Sequence, residues 1–251
     1  MLLIGEGLIV PSELWRADSA SRLGLVCAIT AAFALAGYLV KGVSRSGAVA
    51  GAGVCLALFW GAGPGAFMGL LSLFGLTWAA TRTGLAAKRS RGTAEREARN
   101  AWQVLANVGV AALCALAYGV IHEPWLLLAM AAALAEPAAD TVSSECGQAF
   151  SQRVFLITNF ERVEAGTDGG VSVAGTLSGA LAAFLVSAVC VWGCGLPRRW
   201  IWVSTTAGIV GMIADSYLGA LLERRGRLNN DAVNFLGTLV AAIVAVAVEK
   251  L

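Results

Sequence analysis

Charge is what this sequence has least of. Of its 251 residues only 14% are Asp, Glu, Lys or Arg, while 58% are hydrophobic and the mean hydropathy is +0.74. A soluble domain carries roughly 25% charge, so a water-facing surface cannot be assembled from this inventory. Charge of one sign is lacking too: the net value is +2, and no basic stripe stands outside the connecting segments, which argues against nucleic acid as a partner. Histidine is limited to His122, so no Ser/His/Asp or Cys/His arrangement is available away from that position. Regular polar/apolar alternation over about 10 residues is missing as well, which excludes a membrane β-barrel. The six cysteines (27, 55, 114, 146, 190 and 194) lie mostly in apolar stretches without metal-ligand spacing, although Cys190 and Cys194 share a helix face. They are expected to act as small packing residues.

What is present is long runs without charge: Leu23 to Val40, Ser46 to Thr81, Ala101 to Ile121, Gly169 to Pro197, Trp200 to Ala214 and Ala232 to Val248. Crossing about 30 Å of hydrocarbon takes roughly 20 helical residues, so most windows fit one helix and the 36-residue window fits two. Gly61-Ala-Gly-Pro64-Gly is the natural break within it. The expected fold is all-α, a polytopic transmembrane bundle of seven to eight helices, some short or broken. The segments are 23–40, 47–62, 65–81, 102–121, 124–140, 173–195, 199–222 and 232–248. Helices two and three are short enough to form a re-entrant pair. Residues 1–22 are expected to be an interfacial entry, because Pro11, Glu13, Arg16 and Asp18 interrupt any span, and no cleavable signal peptide is recognisable there. Residues 23–251 then form a single transmembrane domain.

Basic residues orient the bundle, since cytoplasmic loops are enriched in Lys and Arg. With the N-terminus outside, 13 of the 18 basic residues fall on the cytoplasmic side. The two long loops expected there are 82–101 and 141–172. The outer connections, His122-Glu123 and Pro197-Arg198, are minimal. Polar capacity is thus concentrated on one membrane face.

Carboxylates near the membrane are costly and normally face a cavity or a partner. Glu136 and Asp140 sit four residues apart, Glu145 follows, and Asp215 lies in the otherwise apolar Met212-Ile-Ala-Asp-Ser-Tyr. Singly, such groups pair with loop arginines or cap helices. Together, Asp140, Glu145 and Asp215 offer the hard oxygen ligands that suit Mg²⁺, which usually combines one or two carboxylates with substrate phosphates. A second feature is Ala165-Gly-Thr-Asp-Gly-Gly-Val-Ser-Val-Ala-Gly-Thr176, a glycine-rich turn leading into a helix. Its backbone amides and the helix N-terminus suit an anion, with Ser172 and Thr176 as hydroxyl donors; an ordinary turn with a helix cap fits the same residues. A third is Thr81-Arg-Thr-Gly with Lys88, followed by Gln103 and Asn107 on one helix face. Arg82 and Lys88 are placed to neutralise phosphates, while Arg89, Arg91 and Arg96 serve as membrane-surface anchors. Ser216 and Asn234 add further polar contacts.

Read together, these stretches resemble an integral membrane family that contains the plant phytyl-phosphate kinase and the animal transmembrane protein 19. The resemblance rests on Ser46-Gly-Ala-Val-Ala; Thr81-Arg-Thr-Gly with Lys88; Gln103-Val-Leu-Ala-Asn107; Ala139-Asp-Thr with Ser144-Glu-Cys-Gly147; Gly166-Thr-Asp-Gly-Gly-Val-Ser172 with Gly175-Thr176; and Asp215-Ser216 with Leu218-Gly-Ala220. They occur in the family's order from about residue 40 to 235. The resemblance implies transfer of a phosphate from a nucleoside triphosphate, CTP, to a prenyl monophosphate such as phytyl phosphate. Under it, Lys88, Asp140 and Asp215 form the catalytic set. Asp140, Glu145 and Asp215 hold Mg²⁺. Arg82, Lys88, Asn107, Gly166, Thr167, Asp168, Gly169, Gly170, Ser172, Thr176, Ser216 and Asn234 contact nucleotide or phosphate. A transporter of small anions or lipid headgroups, and a cytidylyltransferase acting on a lipid phosphate, are the alternatives. Small-residue faces such as Gly47-Ala-Val-Ala-Gly51 permit contacts within one chain or a homo-oligomer.

Overall fold

A computed structural model describes residues 19–84 and 98–251, with side-chain environments from Leu23 onward. Most of the 1–22 segment, and Lys88, lie outside the described residues; Ser19 to Arg22 belong to the first helix. Among the described residues eight helices follow in order: α1 (Ser19–Leu39), α2 (Arg45–Ala62), α3 (Pro64–Arg82), α4 (Ala101–Ile121), α5 (Pro124–Phe150), α6 (Val173–Gly193), α7 (Arg199–Leu218) and α8 (Asn230–Glu249). A five-residue π-helical turn, Gly219–Glu223, extends α7. Seven of these helices are long and apolar enough to cross a membrane; the apolar part of α1, Leu23–Leu39, is shorter. The polytopic bundle expected from the sequence is therefore present.

The helix ends follow local chemistry. Gly63, with φ +79°, ends α2, and Pro64 opens α3, where its missing N–H costs nothing. Both α2 and α3 are long enough to span, at 18 and 19 residues. Asn100 and Gln103 close a reciprocal capping box on α4: Asn100 accepts from the Gln103 N–H, and Gln103 accepts from the Asn100 N–H. Ser172 and Asn229 accept from the third-residue amides of α6 and α8 in the same way. Bulky exposed tryptophans, among them Trp60, Trp102, Trp192 and Trp202, lie near helix ends, where amphipathic rings suit the membrane–water boundary.

Helix α5 is the axis of the bundle. It packs against α3, α4, α6, α7 and α8, and from Leu126 to Ala139 it is buried on every side. Because lipid is as apolar as leucine, such packing is held by close van der Waals contact rather than by exclusion of water. Small residues provide that contact: a Cβ on Gly179 would lie 2.6 Å from the Ala139 carbonyl, and one on Gly175 2.6 Å from that of Ser143. The 27-residue α5 corrects the sequence expectation, which ended this helix at residue 140 and began a loop at 141. Pro137 sits inside the helix without ending it, since neighbouring helices enclose the turn from which its N–H is missing.

The rest of the expected 141–172 loop holds a small antiparallel sheet of order β2-β1-β3, with β1 Val154–Leu156, β2 Arg162–Val163 and β3 Gly170–Val171. Val154 pairs with Val163 and Leu156 with Gly170. Leu156 and Ile157 pack on Ala220 of the π-helical turn. The sheet thereby seats the glycine-rich turn against the end of α7.

Candidate functional site

The helix connections at Lys41–Ser44, Ser151–Ser172 and Arg224–Asn229 fall at one end of the bundle, with the end of α3 and the start of α4, and a cavity of about 420 Å³ opens among them. That volume lies within the usual range of roughly 300–1,000 Å³ for small-molecule sites. One wall is the extended part of α5. Asp140, Thr141, Ser144, Glu145 and Gln148 all line the cavity, because positions three and four apart share a helix face. The extra turns of α5 are what bring these five residues into one stripe.

The opposite rim comes from the ends of α1 and α3 and from the segment before α4. Arg82 donates to the Val40 carbonyl at 2.8 Å, and its guanidinium lies 4.5 Å from the Trp78 ring centre. Thr81 donates to Glu145 Oε1 at 3.3 Å, tying the buried Glu145 to α3. Arg99 is a site residue absent from the sequence expectations. Its backbone pairs with Gly42 and Ser44, and Nη2 donates to Thr141 Oγ1 at 3.1 Å. The Asn100/Gln103 capping box was the local signal for its placement, since it fixes Arg99 immediately before the helix. Lys41, in the left-handed region at φ +57°, lines the same rim.

The glycine-rich turn forms a further wall. Gly166 and Gly169 have φ of +89° and +74°, which only glycine adopts at low cost. A Cβ on Gly169 would sit 2.5 Å from that of Ala220, so the close approach to the π-helical turn also requires glycine. Part of the turn's donor capacity is used internally: Gly170 N–H bonds the Thr167 carbonyl at 2.8 Å, and Thr167 N–H bonds that of Glu164 at 3.2 Å. Ser172 caps α6 and accepts from Ser151 at 2.8 Å.

Of the residues expected from the sequence, Arg82, Asn107, Asp140, Glu145, Gly166, Thr167, Asp168, Gly169, Gly170, Ser172, Asp215, Ser216 and Asn234 all line this one cavity. Thr176 does not; it lies one turn inside α6, where its N–H bonds the Ser172 carbonyl. Asn107 is buried and donates to the Gln103 carbonyl at 2.8 Å. The expected three-carboxylate metal set is not assembled as a unit: among the described residues, no group of three or more His, Cys, Asp or Glu is arranged to hold a metal ion. Asp140, Glu145 and Asp215 share a cavity lined by hard oxygen donors, which fits a Mg²⁺ site only in the form that uses one or two carboxylates and completes its shell with substrate phosphates.

Glu136 lies just beneath. It is 1% exposed, and Oε1 has no hydrogen-bond partner among the described residues. Both Glu136 Oε1 and Asp215 Cβ come within 3.3 Å of where a Gly237 Cβ would stand. Its four-residue spacing from Asp140 is visible in the sequence, but its depth is not. Toward the interior the cavity walls become apolar, with Phe33, Leu70, Leu73 and Phe74. Phe33 meets Phe74 edge-on at 5.4 Å.

A polar, two-signed cavity at one end of a membrane-spanning bundle, with an apolar interior wall, defines a polytopic membrane protein with a small-molecule-sized site. Residues 28–242 match the family model described as "Integral membrane protein DUF92". The chain belongs to this integral membrane family. It is 38% identical to an uncharacterized membrane protein of Methanocaldococcus jannaschii, over 71% of this chain and 74% of that one. It is 35% identical to an uncharacterized membrane protein of Synechocystis over 95% of each chain. With Protein VTE6, chloroplastic, of Arabidopsis thaliana it shares 30% identity over 84% of this chain and 67% of that one. No solved structure gives a significant match.

Proposed function

We propose that this protein is a membrane-embedded kinase that transfers the terminal phosphate of a nucleoside triphosphate, CTP, to a prenyl monophosphate such as phytyl phosphate. The observation that carries the reading is the single cavity in which Arg82, Arg99, Asp140, Asp215 and the glycine-rich turn stand above an apolar wall. The anionic head of a prenyl phosphate matches the polar half, and the apolar wall suits the part of its tail next to the head. The resemblance of the ordered motifs to the family of the plant phytyl-phosphate kinase, together with the match to the chloroplast protein of Arabidopsis, supports the same activity. In this reading the loop-bearing end faces the cytoplasm, where 13 of 18 basic residues fall and nucleotide is available.

The acceptor is itself a phosphate, so its attacking oxygen is already anionic and needs no strong base. That oxygen bonds to the terminal phosphorus, the bond from that phosphorus to the bridging oxygen breaks, and the nucleoside diphosphate leaves with the electron pair. Arg82 and Arg99 neutralise phosphate charge from the rim, and Lys88 is assigned to the same task. The amides of the Gly166 to Ser172 turn orient one phosphate. Asp140 and Asp215 are the residues assigned to Mg²⁺, and Glu145, bonded by Thr81, lines the same cavity. When bound, the ion supplies charge neutralisation on the transferred group. Ser216, Asn107 and Asn234 supply polar contacts around the bound heads.

The test is purified protein in lipid nanodiscs with CTP, Mg²⁺ and phytyl phosphate, followed by product analysis. The expected products are CDP and phytyl diphosphate. Pyrophosphate with a CDP-lipid would assign the cavity to cytidylyl transfer instead, and the absence of nucleotide consumption would overturn the enzymatic reading.

A further inference from the structure

A second concavity, about 970 Å³, lies between α2, α4 and α8. Its rim is formed by Trp102, Asn229 and Asp231 at the starts of α4 and α8, and its length is apolar, through Ala106, Gly109, Leu113 and Phe235. From Trp102 to Leu113 is 11 residues on α4, which at 1.5 Å each is about 16 Å, half of a hydrocarbon core of about 30 Å. The groove thus has a polar and aromatic edge at headgroup level and the depth of one leaflet.

Two of its small residues, Gly53 and Gly109, are not used for helix contact. On α2, Gly47 and Gly61 are wedged against the backbone at Arg99 and Ala115, so α2 and α4 are clamped at both ends. Between the clamps, a Cβ on Gly53 or on Gly109 would meet nothing within 4 Å. Glycine normally earns its place in membrane helices by letting backbones approach. Here it keeps a channel open instead. The groove also adjoins the polar cavity: Val54 lines both, α4 gives Gln103 and Asn107 to the cavity and Ala106 and Gly109 to the groove, and α8 gives Asn230 and Asn234 to one and Ala232 and Phe235 to the other.

We propose that this groove holds the isoprenoid chain of the lipid whose phosphate occupies the cavity, and that the lipid enters sideways from one leaflet past Val54. This rests on the prenyl-phosphate reading for the identity of the chain. The adjacency of groove and cavity favours an amphiphile over a bulk acyl chain, because one molecule then satisfies a polar and an apolar surface on either side of a shared residue, Val54. Gly53 and Gly109 determine the chain length accepted, since any side chain there projects into the open space.

Two measurements test this. In the first, wild-type protein in phosphatidylcholine nanodiscs is photolabelled, without nucleotide, by a 20-carbon prenyl phosphate carrying a diazirine near the chain end. Adducts are expected on residues 105–113 or Phe235 and are expected to disappear under excess unlabelled prenyl phosphate. Adducts on Phe33 or Leu73 instead would place the chain inside the cavity and overturn the proposal. Equal labelling by a diazirine-bearing phosphatidylcholine that prenyl phosphate does not displace would overturn it too, making the groove a surface for bulk lipid. In the second, Gly53→Leu and Gly109→Leu are assayed for turnover of 10-carbon and 20-carbon prenyl phosphates. The ratio of KM for the longer to the shorter chain is expected to rise at least tenfold, and an unchanged ratio in both variants would count against the groove. Specific groove adducts in a protein that turns over no prenyl phosphate would retain the lipid site and remove the kinase reading, so the two failures are distinguishable.

Discussion

At the end that carries Gly63, His122 and Gly195, the helices meet backbone to backbone. At the opposite end the same helices spread around a cavity. Gly61 is wedged on Ala115 and Gly65 on Gly193, and the connections there are only a few residues long. Toward the other end Gly51, Gly53 and Gly109 meet open space, and the connections include a small sheet and a π-helical turn. At the first end glycine brings backbones together; at the other it does so at Gly47, Gly169 and Gly175 but leaves open space at Gly51, Gly53 and Gly109. The carboxylates, arginines and glycine-rich turn are gathered around the cavity at that second end. Within the bundle, α5 joins the two halves: its first half is apolar and enclosed, and its last three turns carry the polar stripe.

The largest effect that would break this contrast is a side chain forced into the closed end. Gly61→Leu and Gly65→Leu are expected to lose folded protein or to cost more than about 3 kcal/mol, since overpacking against backbone has no side chain to displace. Thermal melting in detergent checks this, and a melting curve like that of wild type would remove the closed-end clamp. Next is a change confined to the open end. Asp140→Asn and Asp215→Asn are expected to lower turnover at least ~100-fold, the scale of a removed charge-stabilising group, while melting stays close to wild type. Asn100→Ala removes the side-chain acceptor of the α4 capping box, leaving the residue-100 N–H on Gln103 Oε1, and is expected to cost about 1 kcal/mol, with Arg99 displaced as a consequence. The readout is a rise in nucleotide or lipid KM that exceeds the small change in melting. Smallest is Gly53→Ala, a helix position with room for a methyl group, expected to stabilise by about 0.5–1 kcal/mol. A large loss there, like that at Gly61, would show that the open space closes in the membrane.

Much of the bundle was legible because charge is so scarce that its positions mark the helix ends. The segments expected at 47–62, 65–81 and 102–121 differ from the observed helices by no more than two residues at any end. The same ruler failed at α5. Asp140 and Glu145 end an apolar window, so the segment after 140 looked like loop, yet Asp140, Ser144 and Gln148 repeat every four residues and mark a helix face. Membrane position and helical continuity are separate properties, and charge density reports only the first. The sheet escaped notice because strands of two and three residues are too short to establish a period.

The candidate site was legible as a set of motifs rather than as a geometry. The glycine-rich turn, Arg82, Asp140 and Asp215 come from separate stretches of sequence and do line one cavity. What motif spacing did not convey was depth and obligation. Glu136 is enclosed beneath the cavity while Asp140, one turn later, reaches it, and Thr176 is turned away because Ser172, not Thr176, begins the helix. Arg99 looked like one more basic residue of a surface loop. Its backbone pairing with Gly42 and Ser44 depends on α1 and α2 lying beside it, a tertiary fact that no local pattern carries.

The central claim is that the open end performs phosphoryl transfer through Asp140. Its most direct measurement follows terminal-phosphate label from CTP into lipid, with wild type and Asp140→Asn reconstituted in the same nanodiscs and matched for melting temperature. The account predicts label in the prenyl diphosphate for wild type and a rate at least ~100-fold lower for the variant. Label transfer at the wild-type rate by Asp140→Asn would contradict it.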